Sequence, residues 1–216
     1  MPERRRQLIY EPNVFAQKDL DTARWVILTP APEMTVEQRW EVETPWVVER
    51  LQFPGGNSVI LDWGCGVGRL ARPLLERGHY VVGVDISTNM LGHAFQKAGP
   101  RHFAGIPPSI FRRTMAPAVF DGGYASWVLQ HVQHPHRDIA LIAKVLKPGA
   151  PFYLLNSERR FIPVRDRDDP KGKVDWIGDE YNVAELMAEY FDLEKELELA
   201  PFIPPRSYFR LYRRKP

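Results

Sequence analysis

The sequence predicts an α/β domain, a mostly parallel sheet with helices on both faces. Three observations carry that prediction. Short apolar runs end on acids at Asp62 and Asp85, and each is followed by a turn and a helix-like segment. The alternation of strand and helix patterns continues from residue 58 to about residue 190. The last two strand-like runs have no helix between them, so they should pair antiparallel.

The elements follow in order. Residues 1 to 57 precede the first strand and hold Trp25, Trp40 and Trp46 with several prolines. They are expected to form a helical cap or lid, with the sheet domain running from 58 to 216. Residues 35 to 51 read as helix. Thr35 is an N-cap with Gln38 three residues on, and Trp40, Val47, Val48 and Leu51 offer an apolar face. Pro45 would start or kink its second part. Strands are expected at 58 to 62, 80 to 85, 101 to 105, 119 to 126 and 150 to 156. The fourth is weakened by Gly122 and Gly123. Helices are expected at 68 to 77, 87 to 98 and 136 to 146, with a short one ending near Met115. A further helix spans 179 to 190, and the closing strands are 192 to 199 and 206 to 213.

Composition narrows the class. A chain of 216 residues supports one α/β domain with a small addition. A net charge of +2 argues against a strong electrostatic grip on nucleic acid. No apolar run approaches the roughly 20 residues that span a bilayer. The basic start, Met1 to Arg6, is followed by no apolar region, so no signal peptide is expected. The single cysteine, Cys65, cannot form an internal disulfide, and a cytoplasmic enzyme is expected.

Chemistry concentrates at residues 59 to 68, Val-Ile-Leu-Asp-Trp-Gly-Cys-Gly-Val-Gly. Gly64, Gly66 and Gly68 would turn the chain and admit a ligand close to its backbone. Asp85, at the tip of the second strand, suits the two hydroxyls of a ribose. The third glycine comes one residue too early for a dinucleotide fingerprint, which counts against a nicotinamide-dependent oxidoreductase. Asp62 is badly placed beside a pyrophosphate and well placed beside a cationic ligand.

This pattern resembles the class I S-adenosylmethionine (SAM) methyltransferases, whose first motif is Asp/Glu-x-Gly-x-Gly-x-Gly. Val84-Asp85-Ile86-Ser87 with Met90-Leu91 is similar to their second motif. Phe120-Asp121 and the run from Ala125 to Val132 resemble their fourth strand and its loop. Val145-Leu146-Lys147-Pro148-Gly149 resembles the turn before their fifth strand. The resemblance covers about residues 58 to 156. It implies a Rossmann-like three-layer sandwich with a seven-stranded, mostly parallel sheet and an antiparallel last strand.

It also implies a cofactor, SAM, released as S-adenosylhomocysteine. Asp62, Gly64, Cys65, Gly66 and Gly68 would hold its amino acid end, and Asp85 the ribose. Ile86 and Met90 would flank the adenine or serve as core. Many relatives carry an acid after strand three; here the stretch is Gly105-Ile106-Pro107-Pro108-Ser109, so Ser109 or main-chain groups take the adenine edge. Ser126 and Trp127 would lie beside the sulfonium, whose charge a tryptophan face attracts. His131 matches a family histidine and is a candidate general base, with a structural role as the alternative. No metal is expected at His131, His134 and His136, because Pro135 interrupts them and no Cys or acid stands at ligand spacing.

Acceptor recognition is assigned to the N-terminal segment and the loop after strand five. Tyr10, Trp25 and Trp176 are possible walls, Asn156 opens that loop, and Arg159 and Arg160 are a possible clamp for a carboxylate or phosphate. The expected acceptor is a small molecule, with a protein or RNA as runner-up and a non-catalytic subunit as a further alternative. The expected assembly is a monomer or homodimer without membrane partners.

Overall fold

The computed structural model describes residues 7–29, 31, 33–99 and 101–216. The basic start, Met1 to Arg6, lies outside them. Ten strands form two sheets. The larger has seven strands: β2 (Val59–Trp63), β3 (Tyr80–Val84), β4 (Phe103–Ile106), β5 (Gly122–Ser126), β6 (Pro151–Ser157), β9 (Phe191–Leu197) and β10 (Ser207–Arg214). Their order is β4-β3-β2-β5-β6-β10-β9. The first five run parallel, and β10 lies antiparallel to both β6 and β9.

Side-chain alternation along these strands builds two cores. Leu61, Phe152 and Leu154 face α5 (Pro108–Thr114), α6 (Pro135–Val145) and α7 (Val183–Tyr190). Ile60, Tyr153 and Leu155 face the other way, onto α2 (Val36–Arg50), α3 (Ala71–Glu76) and α4 (Thr88–Ala98). The result is the three-layer arrangement expected from the alternating pattern. Thr35 and Gln38 close the capping box at the start of α2, and Pro45 is carried inside that one helix.

Several boundaries shift. The helix expected at 68 to 77 is only α3, because the glycine turn persists to Leu70. The helix expected from 179 begins at Val183, where Asn182 caps it. The strand expected from 119 starts at Gly122; Phe120 makes only an isolated bridge to Leu146. The two glycines there allow close packing. A Cβ on Gly122 would lie 2.5 Å from the Phe53 ring, and one on Gly123 would lie 3.1 Å from Leu61.

The second sheet was not expected. β1 (Leu8–Tyr10), β7 (Ile162–Asp166) and β8 (Asp175–Ile177) pair antiparallel in the order β1-β7-β8. It joins the N-terminal segment to the loop after β6. Between β1 and α2 lie a 3-10 turn (Pro12–Phe15) and α1 (Leu20–Ile27), capped by Asp19. Ala23 of α1 packs with Val67 and Met90, which seats the helix on the glycine loop.

Candidate active site

The sheet order reverses between β2 and β5, and a crevice opens there at the carboxyl ends of the strands. The glycine loop forms one wall. Gly64 and Gly66 take φ of 77° and 51°, in the left-handed region. Neither has room for a side chain: a Cβ on Gly64 would stand 2.2 Å from Val128, and one on Gly66 2.9 Å from Ile27. Amides of Gly64 and Cys65 donate to the Val84 carbonyl at 2.7 and 3.0 Å, which ties the loop to β3. Gly68 serves packing, with Ala94 of α4 at 3.2 Å from where its Cβ would be.

Asp85 caps β3 and faces this loop. Its carboxylate accepts the Gly66 and Ser87 amides, each at 2.9 Å. Burial pushes its pKa up to about 6 against the pull of those two bonds. Asp62 is buried beneath the loop and is pushed up to about 7, mainly by the same loss of solvent.

Of the expected cofactor residues, Gly64, Gly66, Asp85, Ile86, Met90, Ser126 and Trp127 line the cleft. Asp62, Cys65 and Gly68 lie behind it. Cys65 is buried with its Sγ against Gly83, so it offers the cleft no side chain. Ser109 is exposed on α5 and does not line the cleft; Pro108 does. Asp138 of α6 brings an acid to the cleft wall that the loop after β4 lacks. It is ion-paired with Arg112 at 2.8 Å.

His131 lines the cleft as expected, but both ring nitrogens are engaged. The Gln130 side-chain oxygen accepts the Ser157 amide at 2.7 Å, which turns the Gln130 NH2 toward His131 Nε2 at 3.1 Å. His131 Nε2 therefore accepts, and Nδ1 donates to the Phe161 carbonyl at 2.7 Å. Burial lowers the His131 pKa, so the ring stays neutral. This arrangement fits the structural role and leaves no free lone pair for a base. Tyr10 also reaches the cleft and donates to the His131 carbonyl at 3.3 Å. Its own pKa is pushed up to about 12, mainly by burial.

Two expected acceptor residues are committed elsewhere. Arg160 is 4% exposed. It pairs with Asp179 at 2.6 Å and donates to the Leu129 and Val132 carbonyls. Asn156 is fully buried; it accepts the Gln130 amide and donates to the Ser157 carbonyl and the Tyr208 hydroxyl. Both organise the loops and cannot clamp an acceptor. Trp25, Trp176 and Arg159 instead line a second, outer groove of about 610 Å³ that shares Phe15, Trp127 and His131 with the cleft.

A buried charge cluster, missed in the sequence, supports the junction of the two spaces. Glu43 of α2 pairs with Arg39 at 2.7 Å and with Arg69 at 3.1 Å. It also accepts the Trp127 indole N–H at 2.8 Å. Arg69 in turn donates to Ser126 at 3.3 Å. Trp127 sits at φ 61°, a strained position for a bulky residue. One face of its ring is already occupied by the Arg39 guanidinium at 5.2 Å.

Residues 61–154 match the family described as Methyltransferase domain. An S-adenosyl-L-methionine-dependent Diels-Alderase of Talaromyces variabilis is 36% identical over 127 residues, covering 56% of this chain and 43% of that protein. An O-methyltransferase of Aspergillus sclerotiorum is 33% identical, covering 56% and 47%. The chain spans about half the length of the curated relatives it matches or less. In fold it is similar to a SAM-dependent methyltransferase from Mesorhizobium loti, with TM-score 0.60 and 21% identity over 81% of this chain and all of that one. It is also similar to a structure described as the [4+2]-cyclase SpnF, with TM-score 0.62 and 18% identity over 83% and 82%. Motif order, sheet order and the match over residues 61–154 agree: the chain is similar to the class I S-adenosylmethionine-dependent methyltransferases.

Proposed function

We propose that this protein transfers the methyl group of SAM to an O, N or C nucleophile of a small-molecule acceptor. The observation that carries the reading is the pairing of the Gly64–Gly66 turn with Asp85 across a cleft at the sheet's switch point. Backbone at Gly64 and Gly66 would take the amino acid end of the cofactor, with Asp62 acting from beneath. Asp85 would exchange its loop amides for ribose hydroxyls. Ile86 and Met90 would sandwich the adenine, and Asp138 would accept its amino group. When bound, SAM supplies a sulfonium-activated methyl that an acceptor lone pair can take, leaving S-adenosylhomocysteine.

The chain's own task is then alignment and exclusion of water, which can contribute ~7–11 kcal/mol. Trp127 stands where the two spaces meet and Ser126 lines the cleft beside it, and the two would position the acceptor against the methyl. With His131 engaged, the acceptor's proton leaves through the groove to water. The described residues before α2 would act as a cover, since Ile27 of α1 packs against Gly66 in the cleft wall. No helix among the described residues is long and apolar enough to cross a membrane. A cytoplasmic monomer or homodimer without nucleic acid or metal completes the reading.

A second reading is cyclisation with the cofactor retained unchanged. It is favoured by the relative and the structure described as a Diels-Alderase and a [4+2]-cyclase, and by the absence of an unengaged base at His131. One experiment separates the two. The protein is incubated with methyl-labelled SAM and a metabolite extract. Label in an organic product with matching S-adenosylhomocysteine supports transfer. A new product without S-adenosylhomocysteine moves the reading to cyclisation.

A further inference from the structure

The outer groove differs in chemistry from the cleft. Its walls include Trp25, Phe161 and Trp176, which are 52%, 40% and 49% exposed. Large aromatics gathered on one concave surface mark a binding site. Trp176 stands nearly edge-on to Phe15 and to His131, with centroids 6.1 and 5.6 Å apart. A flat aromatic guest can stack on one such face and meet the others edge-to-face.

Charge adds a second character. Among the described residues, the groove lining holds three arginines and no Asp or Glu. Arg39 is ion-paired with Glu43 at the floor. Arg159 and Arg206 are exposed at the rim, and neither pairs with a carboxylate among the described residues. Their backbones are fixed relative to each other, since the Glu158 amide donates to the Arg206 carbonyl at 2.8 Å. Two unpaired guanidiniums beside an aromatic slot complement an oxyanion on a ring.

We infer that the groove binds a planar aromatic acceptor carrying a carboxylate, with the ring between the aromatic walls and the carboxylate on Arg159 and Arg206. The assignment rests on the methyl-transfer reading, which makes this groove the acceptor's place. It replaces the adjacent pair Arg159 and Arg160 as the clamp by a pair drawn from two loops.

The test uses the full chain saturated with S-adenosylhomocysteine and reads tryptophan fluorescence. The probes are 2-naphthoate and its neutral analogue 2-naphthamide. Naphthoate should bind about tenfold more tightly than the amide at low salt, and the gap should narrow as salt screens the rim. Arg159→Gln with Arg206→Gln should abolish that preference and leave the amide's affinity within about twofold. Arg159→Lys with Arg206→Lys should keep part of it, which guards against loss by misfolding. Equal affinities in the unaltered protein, no binding of either probe, or a preference that survives the Gln pair would overturn the inference. Binding of S-adenosylhomocysteine is measured first in the same samples. Its failure would count against methyl transfer, and the probe preference is then read on the protein alone.

Discussion

The Trp127 indole nitrogen donates to Glu43 Oε1 at 2.8 Å, so a residue at the mouth of the cleft is held by a carboxylate on α2. The same carboxylate pairs with both Arg39 and Arg69, which are buried. Glu43→Gln would leave two buried guanidiniums with one uncharged partner. The expected loss of stability is ~3–5 kcal/mol, measured by urea denaturation. A change under about 1 kcal/mol would mean that the cluster is solvated in solution.

Asp85 should set the acid limit of cofactor binding. Its pKa is raised to about 6 by burial, and the ionised form accepts two ribose hydroxyls more strongly than the protonated one. Affinity for S-adenosylhomocysteine should therefore fall as pH drops through about 6. Asp85→Ala should cost roughly 1.5–3 kcal/mol of binding at pH 8 with the fold retained. Calorimetry at pH 5 and pH 8 checks both. An affinity indifferent to pH and to the substitution would remove Asp85 from the site.

Asp62 trades stability for its position. Its carboxyl ionises near 3.8 when unfolded and near about 7 in the fold, where burial holds the proton on. The folded chain binds more protons across that window, so Asp62 makes the fold less stable as pH rises from about 4 to 7. Asp62→Asn should raise stability at pH 8 by on the order of a few kcal/mol, with the gain fading toward pH 4. Cofactor binding should weaken in the same variant. Thermal melts at the two pH values read the first effect, and a gain independent of pH would refute the assignment.

Deleting residues 1 to 34 should leave the seven-stranded sheet folded and remove most turnover. The deletion takes β1, Phe15 and Ile27 from the site but keeps α2, whose Val47, Val48 and Leu51 belong to the main core. Affinity for S-adenosylhomocysteine should fall less than turnover does. An active truncation would return acceptor recognition to the loop after β6.

The parallel sheet, the glycine loop and Asp85 were legible because each depends on local chemistry: apolar runs, backbone freedom and an acid at a strand tip. The antiparallel β10 followed from a missing helix. The small sheet was not legible. β1 and β8 have only three residues each, and β7 carries Pro163, a residue disfavoured within strands. That gap explains the error at Arg160. Arg159 and Arg160 are chemically alike in sequence, yet one faces the groove and the other is buried on Asp179. Their fates depend on where β7 turns the chain. Glu43 and Asp138 were hidden for a different reason. A charge on an amphipathic helix reads as solvent-facing until its partners from distant segments are known.

The β1-β7-β8 sheet fastens the proposed cover, which brings Tyr10 to the cleft, to Trp176 on a wall of the groove. Lifting one should disturb the other, so the two ligands should not arrive independently. Cofactor should load first, while the N-terminal arm is raised. Its seating then restores the chamber that the acceptor recognises. Steady-state kinetics should show a compulsory sequence, with S-adenosylhomocysteine competing against SAM and not against the acceptor. A hydrogen-bonded ribbon of three short strands would thus act as the timing element of the catalytic cycle.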